Sequence, residues 1–115
     1  MGGIGTAICQ RLAKEGMTVI AGCGPNRDFK AWLDEQAAQG YKFYASVGNV
    51  ADWDSTVEAF DKVKREHGKV DILVNNAGIT RDGVFRKMSA EDWRAVMDTN
   101  LNSLFNVTKQ VIDGM

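Results

Sequence analysis

The stretch Val70-Asp71-Ile72-Leu73-Val74-Asn75-Asn76-Ala77-Gly78 decides the fold of this chain. Its first five residues are mostly apolar, which is typical of a short strand buried on both faces of a parallel sheet. Two amides and a glycine follow the apolar run, and such residues favour a turn. The stretch therefore predicts a buried strand over residues 70–74 that runs directly into a turn.

Helical and strand patterns alternate on both sides of this stretch. Apolar residues at helical spacing predict four helices, over residues 4–15, 29–37, 53–67 and 93–112. Two further runs, at residues 18–23 and 41–47, have the composition or the alternation of strands. Strands that alternate with helices predict an α/β fold of the doubly wound, Rossmann type, with helices on both faces of a parallel sheet. We interpret residues 1–115 as one partial dinucleotide-binding domain.

The helix ends carry their own signals. Glycines at positions 16, 40 and 68 are expected to end the first three helices. Asp52 precedes the third helix as a candidate N-cap, and Ser89 with Asp92 resembles a capping box for the fourth.

Composition excludes several classes of protein. With 44% hydrophobic and 25% charged residues, the chain is neither disordered nor fibrous. Its 14 basic and 15 acidic residues leave no basic surface for nucleic acid or for an anionic membrane. Cys9 and Cys23 have no metal-ligand spacing and are interpreted as reduced thiols of a cytoplasmic protein, and no metal site is expected.

The sequence begins with a glycine-rich turn, Met1-Gly2-Gly3-Ile4-Gly5, that leads into the first helix. Such a turn lets backbone N–H groups approach a phosphate at the positive end of the helix. A flexible tail is the plainer reading, and Met1-Gly2 with Thr6 also matches a myristoylation signal that no polybasic patch supports.

The end of the second predicted element favours NADP over NAD. Gly24-Pro25-Asn26-Arg27 has no acid where an unphosphorylated ribose would be bound, and a guanidinium suits a 2′-phosphate. The alternative is that Arg27 is a solvated loop charge.

Asn75-Asn76-Ala77-Gly78, the glycine turn and Asn100 together resemble the short-chain dehydrogenase/reductase family over essentially the whole chain. Ile79-Thr80-Arg81-Asp82, Gly48-Asn49-Val50 and the segment 84–88 narrow the resemblance to NADPH-dependent reductases of 3-ketoacyl thioesters. The implied reaction is the reduction of acetoacetyl-CoA to 3-hydroxybutyryl-CoA for polyhydroxyalkanoate synthesis. Reduction of acyl-carrier-protein thioesters is the alternative within the family.

The resemblance also implies roles for individual residues. Asp82 would lie at the substrate mouth, Asn75 would stabilise the central strand, and the whole protein would be a homotetramer that packs through the last helix. The residues that would bind the NADP cofactor are Gly2, Gly3, Ile4, Gly5, Gly24, Arg27, Gly48, Asn49, Val50, Asn76, Ala77, Gly78, Ile79 and Thr80.

Asn100 is the implied catalytic residue present in this sequence. It falls within the apolar stripe of the last helix, so we expect a buried amide with hydrogen-bond partners. In the family this asparagine bends the helix and holds a water that links a catalytic lysine to solvent. The plainer interpretation is a core asparagine bonded to nearby backbone.

Three catalytic residues of the family are not found in the sequence. They are a serine and a Tyr-x-x-x-Lys pair, whereas Tyr41 and Tyr44 are the two tyrosines here and neither has a lysine four residues later. The family's first strand is missing too, and it lies at the centre of the strand order 3-2-1-4-5-6. We therefore expect part of a longer reductase, weakly stable and inactive by itself; an NADP-binding module without catalysis is the alternative from another class.

Other conspicuous residues are interpreted as structural. His67 suits the negative end of a helix dipole. Trp32, Trp53 and Trp93 are expected to anchor packing, as is Cys9 on its helix face.

Overall fold

The computed structural model describes residues 2–115, which form two compact units, one up to residue 48 and one over 49–115. In the first unit, helix α1 (Gly3–Lys14) precedes strand β1 (Ile20–Cys23), helix α2 (Phe29–Ala38) and strand β2 (Tyr44–Val47). The two strands pair in parallel, with Ile20 opposite Tyr44 and Cys23 opposite Val47. Helices and strands alternate here as the sequence predicts, and both strands begin two or three residues later than predicted.

The core of the first unit lies between the two helices and the strands. Five buried residues form it, and Leu12, Ala13, Leu33 and Tyr41 pack against them; the five are Cys9, Val19, Ala21, Trp32 and Phe43. Trp32 stacks on Phe43 at 5.3 Å between ring centroids, and its indole N–H donates to the Thr6 hydroxyl. This position confirms the packing roles predicted for Trp32 and Cys9.

The second unit is helical. Helix α3 (Trp53–His67) is followed by irregular chain, a 3-10 turn (Phe85–Lys87) and helix α4 (Ala90–Met97). A π-helical segment (Asp98–Asn102) joins α4 to helix α5 (Ser103–Val111), and a 3-10 turn (Ile112–Gly114) follows. Helices α3 and α5 pack against each other, and Thr56, Val63, Val107 and Val111 are buried in this unit.

Local signals for helix ends are confirmed. Gly16, Gly40 and Gly68 all adopt φ between 85° and 91°, a conformation that residues with a Cβ rarely take. Asp52 accepts a hydrogen bond from the Ser55 N–H, and Ser89 accepts one from the Asp92 N–H. These caps depend on residues no more than three positions apart, so the sequence alone predicts them.

The strand predicted over residues 70–74 is wrong for the structure. Among the described residues the sheet has two strands, β1 and β2, and neither belongs to this segment. A strand exists only with a hydrogen-bonded neighbour, and in the second unit the segment has none. Ile72 and Val74, which the prediction buries, are therefore 55% and 46% exposed.

The last predicted helix is not α-helical throughout, because a π segment interrupts it. The π segment widens the helix by one residue per turn, so a stripe with a period of 3.6 residues does not stay on one face across it. The prediction of packing roles for Trp53 and Trp93 is wrong in part, because they are 42% and 54% exposed. Trp53 stacks on Phe105, which is itself exposed.

No helix within residues 2–115 combines the length and the apolar character needed to cross a membrane.

Candidate functional site

The glycine turn of the first unit forms the N-terminus of α1. The helix begins at Gly3, and its first backbone bond runs from the Thr6 N–H to the Gly2 carbonyl. The N–H groups of Gly3, Ile4 and Gly5 precede that bond and have no acceptor inside the helix. Gly2, the N-cap residue, offers no side chain, and nothing lies within 4 Å of where a Cβ on Gly2 or Gly3 would stand. The start of α1 therefore places helical N–H groups beside glycines with open space around them, the geometry that suits a phosphate.

The loop after β1 is a tight turn. The Arg27 N–H donates to the Gly24 carbonyl at 3.2 Å, and Pro25 and Asn26 occupy the turn between them. The Arg27 side chain is exposed. Asp28, the acid next to it, accepts a hydrogen bond from the Ala31 N–H and so caps α2. The loop thus holds one exposed guanidinium and one carboxylate that is already engaged.

Two thiols lie near these features in the first unit. Burial raises the pKa of both Cys9 and Cys23, and each remains a free thiol. Because the thiolate is the reactive form, neither cysteine has the character of a nucleophile. This agrees with the interpretation of both as reduced thiols and of Cys9 as a packing residue.

Gly48 follows β2 at the end of the first unit. Its N–H donates to the Cys23 carbonyl at 3.0 Å, so the parallel pairing continues one step past the strands.

The next residues open the second unit as a loop, 49–52, in front of α3. The Asn49 side chain accepts from the Ala51 N–H, and the Ser55 hydroxyl accepts from the Asn49 N–H at 2.9 Å. Thr56 is buried and donates to backbone carbonyls of the loop. The Asn49 side chain is exposed and Val50 is half-buried. The loop is therefore a defined structure with an accessible edge.

Asn100 makes the most distinctive contact of the second unit. Its side-chain oxygen accepts from the Ile79 N–H at 2.7 Å, and its side-chain nitrogen donates to the Ile79 carbonyl at 2.8 Å. One side chain thus satisfies both backbone groups of one loop residue. Gly78 lies close by: a Cβ there would stand 3.4 Å from the Asn100 side-chain oxygen, so the approach leaves little room for a larger residue.

The structure corrects one expectation for Asn100 and confirms another. The residue has hydrogen-bond partners, as predicted, but it is exposed rather than buried. It lies in the π segment, which turns it away from the apolar stripe and toward the 75–80 loop. Such wide turns inside α-helices are frequent at functional sites.

The remaining residues of the 75–82 stretch are accessible. Asn75 donates a long hydrogen bond, 3.4 Å, to the Thr108 hydroxyl of α5. Asn75 is predicted to stabilise a central strand, but residues 70–74 are irregular and form no strand. Asn76, Ala77, Thr80 and Asp82 are exposed. Arg81, beside Asp82, lies 3.7 Å from the Asp92 carboxylate of α4.

The predicted site residues thus fall into two groups, one in each compact unit. One group comprises the start of α1, the Gly24–Arg27 turn and Gly48 in the first unit. The other comprises the 49–52 loop and the 76–82 loop with Asn100 in the second unit. Within residues 2–115, no group of three or more His, Cys, Asp or Glu side chains could hold a metal ion.

One polar residue near the 49–52 loop was missed by the sequence prediction. Asn106 of α5 is buried, and its side-chain amide donates to the Val50 carbonyl at 3.0 Å. The signal in the sequence is an amide between Phe105 and Val107, inside the apolar stripe of the last helix.

Comparisons with known proteins agree with these features. The family model described as short chain dehydrogenase matches residues 1–115. An acetoacetyl-CoA reductase of Cupriavidus necator is 72% identical over the whole chain, which covers 47% of that protein. A 3-oxoacyl-[acyl-carrier-protein] reductase of Thermotoga maritima is 42% identical over 98% of the chain, which covers 46% of it.

A solved structure with the same fold is the gluconate 5-dehydrogenase of Burkholderia cenocepacia, in complex with NADP and tartrate. It superposes with a TM-score of 0.83 at 30% identity, over 98% of this chain and 44% of that one. The chain therefore spans about half the length of the relatives it matches. On the match of the family model to all 115 residues, this chain belongs to the short-chain dehydrogenase family, with its Rossmann-type α/β fold.

Proposed function

We propose that the whole protein reduces acetoacetyl-CoA to 3-hydroxybutyryl-CoA with NADPH. The observation that carries this proposal is the 72% identity, over the entire chain, to the acetoacetyl-CoA reductase of Cupriavidus necator. The product would supply polyhydroxyalkanoate synthesis in the cytoplasm. The bound cofactor would supply the hydride for the 3-keto carbon, and a side chain of the protein would supply the proton for the carbonyl oxygen.

The residues of the first unit fit the phosphates of a dinucleotide. The N–H groups at the start of α1 and the open space beside Gly2 and Gly3 suit the pyrophosphate. Gly24 and Arg27 would lie beside the adenosine ribose, with the guanidinium on its 2′-phosphate. Asp28, the acid that follows Arg27, caps α2 through one of its carboxylate oxygens.

The residues of the second unit would serve the base and the nicotinamide half. Asn49 and Val50 would frame the adenine, and the resemblance to the family implies the same role for Gly48. Residues 76–80 would run beneath the cofactor, and Asp82 would meet the substrate. Asn100 would keep the 76–80 loop in place through its two bonds to Ile79, and would hold a water in the proton path.

In this proposal, the proton donor is a residue of the whole protein that is not among residues 1–115. The serine, tyrosine and lysine of the family would come from the other half of the whole protein, since this chain covers 47% of its 72% identical relative. A tyrosine would donate the proton, a lysine would lower its pKa, and a serine would orient the carbonyl.

A carrier-protein thioester is the second candidate substrate, and the 42% identical Thermotoga maritima reductase favours it. We expect the whole protein to oxidise NADPH with acetoacetyl-CoA and to be at least about tenfold less efficient with the carrier-protein thioester, a difference of about 1.4 kcal/mol. Measuring kcat/KM for both thioesters tests this. The 115-residue chain is the control and should be inactive.

Three results, from this assay or from the same measurements of NADPH binding and of the rate with NADH, would contradict the proposal. Preference for the carrier-protein thioester would move the function to fatty-acid synthesis. Saturable binding of NADPH without turnover of either thioester would indicate a binding module without catalysis. An equal rate with NADH would contradict the choice of cofactor.

Replacing Arg27 should change the cofactor preference of the whole protein. We expect Arg27→Ala to raise KM for NADPH about tenfold, because a charge-assisted hydrogen bond to phosphate is lost, and to leave KM for NADH unchanged. Lys30→Ala is the matched control, since Lys30 is an exposed cation three positions away, in the first turn of α2. Equal effects of the two substitutions would show that Arg27 contributes only its general charge.

Removing the Asn100 side chain should release the 75–80 loop. Asn100→Ala in the whole protein is expected to speed hydrogen exchange of the Ile79 amide at least about fivefold, as one net hydrogen bond is lost, and to lower kcat. Asn102→Ala is the control, because Asn102 lies in the same π segment and bonds only Asp98 among the contacts described. Unchanged exchange at Ile79 would rule out the proposed role of Asn100 in this loop.

We further propose that the whole protein is a homotetramer that associates through α4 and α5. The apolar side chains exposed along this helical run support it, namely Trp93, Leu101, Leu104 and Phe105. Leu104→Glu is expected to dissociate the assembly because a carboxylate would be buried at an apolar contact. Light scattering after size-exclusion chromatography measures this, with the exposed Lys109→Glu as the control. A monomeric wild-type protein would contradict the proposal.

A further inference from the structure

Asn106 is a buried amide in an apolar part of α5. Asn106 stands between Phe105 and Val107 in the sequence, and 8% of its surface is exposed. A buried amide without a partner would cost several kcal/mol of stability, on the order of 2–7 kcal/mol in an apolar site. Its position is therefore explained only by the hydrogen bond that it makes.

That hydrogen bond joins two segments far apart in the chain. The Asn106 side-chain nitrogen donates to the Val50 carbonyl at 3.0 Å, across 56 positions of sequence. Gln110, one turn later, donates to the Asn106 backbone carbonyl and leaves the side chain to Val50.

The other hydrogen bonds of the 49–52 loop are local. Asn49 and Ser55 bind backbone N–H groups of the loop, and Thr56 donates to carbonyls at its two ends. These partners all belong to the loop itself or to the first turn of α3. Among the hydrogen bonds described, the one from Asn106 is thus the one that ties the loop to another helix.

A second contact, between α5 and the start of α3, involves the residue next to Asn106. Phe105 stacks on Trp53 with 5.8 Å between ring centroids, and Trp53 is the first residue of α3. Two consecutive residues of α5 therefore engage the loop and the start of the helix that follows it. One contact is polar and directional, and the other is an aromatic stack.

The bond from Asn106 has a counterpart at Asn100. Both amides lie on the same helical run, six positions apart, and each holds the backbone of a loop through its side chain. Asn100 holds Ile79 and Asn106 holds Val50. In the proposed function these are the loops for the nicotinamide half and for the adenine.

We infer that Asn106 is a positioning residue for the adenine end of the cofactor, acting through the Val50 carbonyl. This inference rests on the proposed function, because the role of Val50 beside the adenine belongs to it. Asn106 touches no reacting atom in this account. Its loss lets the 49–52 loop move away from the conformation that receives the base, and this lowers affinity without changing the hydride-transfer step.

The test uses the whole protein with Asn106→Leu, which keeps the branched shape of the side chain and removes the donor. We expect KM for NADPH and the inhibition constant of adenosine 2′,5′-bisphosphate to rise about fivefold, as for the loss of one net hydrogen bond. The inhibition constant of nicotinamide mononucleotide, which has no adenine, should not change, and neither should kcat. Ser103→Ala is the matched control, because Ser103 is equally buried on α5 but bonds within its own helical run.

A second variant guards against loss of folding. Asn106→Asp keeps the shape of the side chain but places an acceptor against the Val50 carbonyl. It should therefore weaken the binding of adenosine 2′,5′-bisphosphate at least as much as Asn106→Leu does. Asn106→Gln, which retains the donor, should recover part of the affinity.

The remaining outcomes would overturn the inference. An equal loss of affinity for the nicotinamide mononucleotide, or an equal effect of Ser103→Ala, would show that Asn106 is only structural. So would failure of both Asn106→Leu and Asn106→Asp to fold. A wild-type protein that binds no NADPH would instead refute the proposed function, and the two failures are thereby distinguished.

Discussion

The requirement that backbone polar groups be satisfied shapes the second unit more than any other constraint. Irregular segments cannot satisfy these groups through helices or ladders, so side chains or water must do it. Asn100 binds both the N–H and the carbonyl of Ile79, as a neighbouring strand would. Asn106 does the same for the Val50 carbonyl. Because both amides are carried by one helical run, that run sets the backbone of the two loops.

The π segment makes this arrangement possible. A continuous α-helix would leave Asn100 in line with the apolar stripe that contains Trp93 and Leu104. The wider turn at Asp98–Asn102 changes the direction of the residues within it, and Asn100 faces the 75–80 loop instead. The same change explains why the apolar stripe of the sequence does not become a single buried face.

The two units carry complementary kinds of site chemistry. The first unit offers backbone N–H groups at a helix start and one exposed guanidinium, which suit phosphate groups. The second unit offers two loops whose backbone is held by amide side chains. Membership of the short-chain dehydrogenase family, shown over the whole chain, is consistent with both.

The sequence by itself determined the first three helices, the local signals at helix ends and the family. Gly68, Asp52 and Ser89 act on neighbours within a few positions, so their signals are complete in the local sequence. Tertiary structure alone decided three other points: the irregular conformation of residues 70–74, the exposure of Asn100 and the hydrogen bond of Asn106. A strand depends on a partner elsewhere in the chain, and an amide depends on a backbone group 21 or 56 positions away. Such contacts are absent from local sequence because they exist only once the chain is folded.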